Sequence, residues 1–394
     1  MAFAQVHPGD LIQSQNLNQI VNALNGTSGD GQPVLLVALN DPNNYALTVQ
    51  NLDPTNCRGL LVLKNDGTTL LSAGCNGVTL GSPLTLPTDL QIPNANLGPD
   101  VARANVLVNP GLEVWQRGAG PFTGTVNAYC ADRWFSSVSG TDTVSVSQNT
   151  PNADSPSSSS CAAITYTRGT GPGLQFLQAI NQNDTWALHN RPVALSIRVK
   201  TTTANAIRPA ISPDGGNTWT YGNYHSGSGN YETLTVTLTV TGNAFVGLYI
   251  TASCTAYVDN ASLVAGSQPA NYVPLHPADD LARCKRYYQR WDSASNASMM
   301  YVGGMVYGAN VFYVSVPTQA EMAVTPTITN SGPTGFQAYC AGAGNLVQSL
   351  GTYTADRRVF TMNGSTSAGL TNGYAMNLAA NNNTATWFAA ESNP

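Results

Sequence analysis

Residues 233–240 read TLTVTLTV, and this strict alternation constrains the chain more than any other stretch of it. Side chains of an extended strand point alternately to opposite faces. Leu234, Val236, Leu238 and Val240 therefore share one face, and the threonines take the other. A helix would scatter the same residues around its circumference. The run reads as a half-buried antiparallel strand, which needs further strands to cover its apolar face. Comparable runs recur at Thr143 to Ser147, Ala162 to Thr167, Val193 to Thr201, Phe245 to Thr251 and Ala256 to Val264. That number of short strands suits a jelly-roll sandwich, and the predicted fold class is all-β.

Composition narrows the function classes. Only 9% of the 394 residues are charged, against roughly 25% in ordinary soluble proteins. Solubility must rest on Asn, Thr, Ser, Gln and Gly, as in many extracellular and virion β-proteins. A net charge of −5, with basic residues clustered only from Arg283 to Arg290, offers no stripe for nucleic acid. No apolar run approaches the ~20 residues that span a bilayer, and Met1 to Asp10 lacks the basic and apolar parts of a secretory signal. Seven scattered cysteines and four separated histidines never reach zinc-ligand spacing. Most of the thiols are expected to be small buried hydrophobes.

Along the chain, Ser14 to Asn25 places Leu17, Ile20, Val21 and Leu24 on one helical face, with Ser14 as N-cap and Gly26 ending the helix. So short a helix must pack, either on its own chain or with two copies about a threefold axis; the second is favoured. From Pro33 to Leu86, five short strand-like runs are separated by turn residues, among them Asp66-Gly67 and Asn76-Gly77; so short a segment buries little alone, and wrapping with neighbouring chains is expected, with a small intramolecular sandwich as the alternative. Leu86 to Ala104, with Pro87, Pro93 and Pro99, reads as a linker. Pro277 to Gln289 forms a second predicted helix, acidic at its start and basic at its end, with Leu281, Cys284 and Tyr288 on one face. The predicted organisation is 1–30 helix, 31–86 β-shaft, 87–104 linker, 105–276 jelly roll, 277–291 connecting helix and 292–394 C-terminal β-sandwich.

Two strings bracket the central unit. NVLVNPGLEVWQRG (Asn105 to Gly118) is followed by Ala131-Asp132-Arg133-Trp134. The second, Val258 to Trp291, holds VDNASL and then CKRYYQRW. Together they resemble the opening strand and exit of carbohydrate-binding-module-like jelly rolls in bacteriophage and prophage tail proteins. The resemblance implies a virion fibre: a homotrimer docked on other virion structural proteins through its N-terminus, assembled in the host cytoplasm and exposed outside the cell, with no membrane insertion. Its implied work is attachment to a host-surface glycan. The rivals are a head fibre or capsid decoration protein without receptor binding, and a surface-polysaccharide hydrolase.

Residues 212–233 crowd Trp219, Tyr221, Tyr224, His225 and Tyr231 into a Gly/Ser/Asn-rich stretch. Aromatic faces cover the C–H surfaces of sugars, so these five are the candidate glycan-binding residues, with core packing as the alternative. Trp115, Trp134 and Trp186 are assigned to the framework. The resemblance also implies a structural calcium ion between Glu113 and Asp259, with no cofactor otherwise required. No hydrolase or nucleotide-binding motif occurs. The carboxylates Asp142, Asp184, Asp214 and Glu232 are available, yet none stands out from ordinary turn usage, and the chain reads as a non-enzyme.

Overall fold

The computed structural model describes five N-terminal strands and residues 104–393 apart from 157, 181–187 and 368. The Leu17, Ile20, Val21 and Leu24 helix, Trp186, Asp184 and nearly all of the linker lie outside the described residues. The chain forms two compact units, Met1–Gln91 and Ile92–Pro394. In the first, β1 (Leu35–Ala38), β2 (Leu47–Gln50), β3 (Arg58–Leu63), β4 (Thr69–Gly74) and β5 (Gly77–Leu80) make one antiparallel meander in chain order. The five runs read from the turn pattern thus pair with one another within a single chain.

The second unit opens with the jelly roll. Its strands are β6 (Ala128–Tyr129), β7 (Trp134–Ser137), β8 (Thr143–Asn149), β9 (Cys161–Thr167), β10 (Leu174–Ile180) and β11 (Arg191–Thr201). They continue with β12 (Ile207–Ser212), β13 (Thr220–Tyr221), β14 (Tyr231–Val240), β15 (Ala244–Ile250) and β16 (Cys254–Ala265). A six-stranded sheet, β13-β12-β15-β10-β7-β6, faces a five-stranded sheet, β14-β11-β16-β9-β8. The all-β class is as expected. TLTVTLTV lies in β14, an edge strand that buries Leu234, Val236 and Val240 and exposes its threonines. Trp134 is fully buried and stacks on Phe176 at 5.4 Å between ring centroids. All five described cysteines are free and buried. Burial pushes the Cys130 thiol up to about 12 and those of Cys161 and Cys254 up to about 11, so they stay protonated.

The opening string is not a strand, which corrects the expectation. Asn109 and Leu112 both take φ 53°, and Pro110 has no N–H to donate, so the chain turns where a ladder would have run. Side chains replace the ladder. Asn105 donates to the Ala261 carbonyl (3.0 Å) and accepts from the Leu263 N–H (3.0 Å), tying the opening string to the exit strand β16. Asn109 is fully buried: its Oδ1 accepts from the N–H groups of Glu113 (2.9 Å) and Val114 (3.0 Å), and its Nδ2 donates to the Val114 (2.9 Å) and Asp132 (3.1 Å) carbonyls.

Helix α1 spans Pro277–Lys285, capped by the His276 side chain. It is shorter than expected, because Tyr288 already belongs to β17 (Tyr288–Asp292), which pairs with the last strand. The buried face carries Asp280 and Cys284 instead of Leu281. Asp280 accepts from the Asn109 N–H (3.0 Å), so one of the two acids assigned to helix electrostatics also fastens the helix to the opening string.

After β17 follow β18 (Met300–Val306), β19 (Val311–Pro317), β20 (Thr327–Asn330), β21 (Phe336–Cys340), β22 (Ala343–Ala355), β23 (Val359–Thr366), β24 (Ala375–Ala380) and β25 (Trp387–Glu391). Six of them close a barrel, β18-β19-β23-β22-β21-β24, while β17-β25-β20 form a separate three-stranded sheet. Phe312, Phe336, Phe360 and Phe388 fill their common core.

Arg117, from the WQRG string, joins this region to the jelly roll. Its guanidinium lies 3.6 Å over the Tyr288 ring, pairs with Glu391 at 2.9 Å and faces the buried Asp132 at 3.6 Å. Arg133 lies 3.8 Å over the neighbouring Tyr287 ring and donates to Asn393 at 3.1 Å. Both bracket strings therefore meet at one junction.

Candidate functional site

The six-stranded sheet turns Ile207, Ile211, Val246, Leu248 and Phe176 into the core, so alternate residues of the same strands form its outer face. Register orders that face in rows. Ser137, Gln175, Tyr249 and Arg208 are cross-strand neighbours in one row. Phe135, Leu177, Gly247, Ala210 and Tyr221 follow in the next, then Ala179, Phe245 and Ser212. Gly247 sits at φ 152°, where a Cβ would strike the Phe176 carbonyl on β10. Only glycine lets β15 and β10 approach as they do.

Aromatic rings stand on this floor. Trp219 stacks 6.5 Å from both Tyr221 and Phe245, at interplanar angles of 14° and 11°. Tyr221 and Tyr249 are 5.4 Å apart. The Arg208 guanidinium lies 3.7 Å over Tyr221, 4.9 Å from Tyr224 and 5.6 Å from Tyr249. Their supports are local: the Trp219 indole N–H donates to the Gly216 carbonyl at 3.1 Å, and the Tyr249 hydroxyl donates to the Pro172 carbonyl at 2.7 Å. The Gly222 and His225 N–H groups bond the Pro209 and Ile207 carbonyls, extending β13 along β12.

Of the five aromatic candidates, three come together: Trp219, Tyr221 and Tyr224. His225 does not join them, because it is fully buried. Its Nδ1 accepts from the Gly227 N–H at 2.8 Å, which leaves Nε2 to donate to the Val199 carbonyl at 3.0 Å on the opposite sheet. Tyr231 lies on β14 of that other sheet and donates its hydroxyl to the Asn152 carbonyl at 2.7 Å. Sequence reasoning missed Arg208, Gln175, Phe245 and Tyr249. Their signal was pairing: once β12, β15 and β10 are placed side by side, the four fall on one face.

Glu113 and Asp259, the carboxylates expected to share a calcium ion, both accept hydrogen bonds from the segment that holds Asp154 and Ser159. Glu113 Oε1 accepts from the Ser159 N–H (2.7 Å) and hydroxyl (3.0 Å), and Asp259 accepts from the N–H groups of Asp154 (2.9 Å) and Asn260 (2.8 Å). Among the described residues, no group of three or more His, Cys, Asp or Glu could hold a metal ion. The described acids weighed for catalysis are likewise engaged in turns. Asp142 accepts from the Gly169 and Gly171 N–H groups, Asp214 from Thr218, and Glu232 from Ser226 and Ser228.

Burial raises the Asp259 carboxyl from 3.8 to about 7, and Asp132 from 3.8 to about 6. A group whose folded pKa exceeds its unfolded value contributes stability that is fully present below the unfolded pKa and lost as pH rises through the folded one. Asp142, Asp154 and Glu232 are lowered and act in the opposite sense below about pH 4. Melting temperature is therefore expected to rise by several degrees from pH 8 to about pH 5. The Asp259→Asn variant should flatten that slope in a pH series of thermal melts, and an unchanged slope would refute the assignment.

No family model matches the sequence, and no curated protein does. Among solved structures, the chain is similar to the xylan-binding CBM22-1 domain of Paenibacillus barcinonensis Xyn10C, with 15% identity over 43% of this chain and 98% of that one, at a TM-score of 0.29. A CBM61 module in complex with β-1,4-galactotriose gives 14% identity, 41% and 99% coverage and a TM-score of 0.29. The enzymatically active domain of tailspike protein 4 of bacteriophage CBA120 gives 14% identity over 41% of this chain at a TM-score of 0.29, and only 21% of that longer chain is spanned. Likenesses at this level carry no argument about ligand or mechanism.

Proposed function

We propose that this protein is a virion fibre component that attaches non-covalently to a host-surface glycan through the outer face of the six-stranded sheet. One observation carries the reading: Trp219, Tyr221, Tyr224 and Tyr249 stand together around Arg208 on that face, with Gln175 in the same row as Arg208. Rings of this kind cover the apolar side of a sugar, while amide and guanidinium groups meet its hydroxyls. The bracket strings and the low charge support the fibre assignment. A threefold assembly through the Leu17 to Leu24 helix, docking on other virion proteins, would multiply weak sugar contacts into firm attachment.

The test is a broad glycan array probed with the full chain. Wild type is expected to bind, and Trp219→Ala to lose about tenfold or more, as removal of a stacking aromatic does elsewhere. Silence across the array would favour a structural head fibre or decoration protein, and release of reducing sugar from host polysaccharide would overturn the non-enzymatic reading. Light scattering that finds only monomer would remove the threefold assembly.

A further inference from the structure

Arg208 differs from the other half-buried and buried arginines described. Arg117, Arg133, Arg198, Arg283 and Arg290 each donate to a carboxylate, amide or carbonyl oxygen. Among the described residues, Arg208 is paired with tyrosine rings and with no acceptor, and its enclosed Nε has no hydrogen-bond partner. Neither a carboxylate nor a carbonyl reaches its terminal nitrogens among the described residues, yet those atoms are not sealed off as Nε is. The nearest described acid in sequence, Asp214, is engaged by Ser212 and Thr218 in its own turn.

A partly desolvated guanidinium without an acceptor is costly, and cation–π contacts offset only part of that cost. What the rings do supply is orientation. The guanidinium carbon lies 3.7 Å over the Tyr221 ring with Tyr224 and Tyr249 beside it, and the Tyr249 hydroxyl is tied to the Pro172 carbonyl, so the group is held among three rings. A fixed planar fork matches one chemical group best, an oxyanion with two acceptor oxygens. Gln175 and Ser137, further along the same row, present amide and hydroxyl groups suited to a sugar's neutral hydroxyls.

We infer that the glycan taken by this face is acidic, with a sugar carboxylate completing the hydrogen bonding of Arg208 while the pyranose ring lies against Trp219. The inference rests on the glycan-binding reading above and adds the class of ligand to it. The net charge of −5 gives no general attraction for anions, so selectivity for an acidic sugar must come from this one side chain.

The experiment uses the full chain and matched ligands: oligogalacturonate and oligoglucuronate, the same oligosaccharides after carboxyl reduction to the neutral sugars, and a sulfated neutral oligosaccharide. Titration calorimetry is expected to give affinity about tenfold or more higher for at least one uronate than for its reduced partner, weakening with added salt. Arg208→Gln should bring the uronate-to-neutral affinity ratio close to one, whatever it does to affinity as a whole, and Arg208→Lys should restore part of that ratio. Thermal melts check that both variants fold; should Gln fail to fold, the Lys variant together with the wild-type uronate-to-neutral ratio decides. Equal affinity for uronate and reduced forms overturns the acidic assignment and leaves glycan binding standing. Preference for the sulfated ligand alone also overturns it, by moving the oxyanion from carboxylate to sulfate. Absence of binding to every ligand here and on the array overturns both readings.

Discussion

Replacing Asn109 with alanine is expected to destabilise the second unit by about 3–5 kcal/mol, the largest single-residue effect in the jelly roll. The side chain serves four backbone groups at once, two as acceptor and two as donor, at a site closed to water. Each buried group left without a partner costs about 1–3 kcal/mol, and water cannot replace the amide without opening the site. Backbone adds a smaller contribution, since φ 53° suits asparagine better than alanine. Denaturant titration with a probe in the jelly roll, such as Trp134 fluorescence, measures the loss. Asn109→Asp is a useful companion, because it keeps both acceptor contacts and aims a charge at two carbonyls. A loss below about 1 kcal/mol for alanine would mean that the opening string is held by its neighbours instead.

The second large effect is expected from Arg117→Ala. This substitution removes the ring contact with Tyr288 and the pairing with Glu391, and it leaves Asp132 buried without its cation. Stranding a buried charge costs about 3 kcal/mol or more. The loss falls on the junction, so its signature is cooperativity as well as stability. Scanning calorimetry of wild type should show the jelly roll and the C-terminal strands melting together, and the variant should separate them into two transitions. Asp132 already titrates near 6 because of its burial, and the cation holds it below where burial alone would put it. Removing Arg117 should move that titration higher. A single unbroken transition in the variant would show that packing alone joins the two parts.

Legibility in the sequence followed exposure. TLTVTLTV announced β14 because that strand lies at a sheet edge, with water on one face to enforce the alternation. LQFLQAI of β10 did not announce itself, since Leu177 and Ala179 on its outer face are as buried as Phe176 on the inner one, and a strand covered on both sides has no period of two. The binding face was half legible. Trp219, Tyr221 and Tyr224 are close in sequence and could be read as a group, but Arg208 meets Tyr249 only through strand pairing. Composition also placed His225 with its aromatic neighbours, although its ring turns inward to join the two sheets. The bracket strings were read as marking a module's limits. Their side chains converge because Asp280 accepts from the Asn109 N–H and the Asn109 amide donates to the Asp132 carbonyl, a relation that depends on where α1 docks.

The pairing of β17 with β25 bears on how this chain can change over generations. Trp291 faces Phe388 across that pair, so the polypeptide leaves the junction and returns to it at almost the same point. Everything between, the closed barrel included, is a cassette with its two ends clipped together. Exchange of the barrel strands for others of different outline leaves the paired ends where they were, provided that β20 on β25 and the Ala323 N–H on the Arg286 carbonyl are kept. Selection can thus rework the barrel without renegotiating the junction.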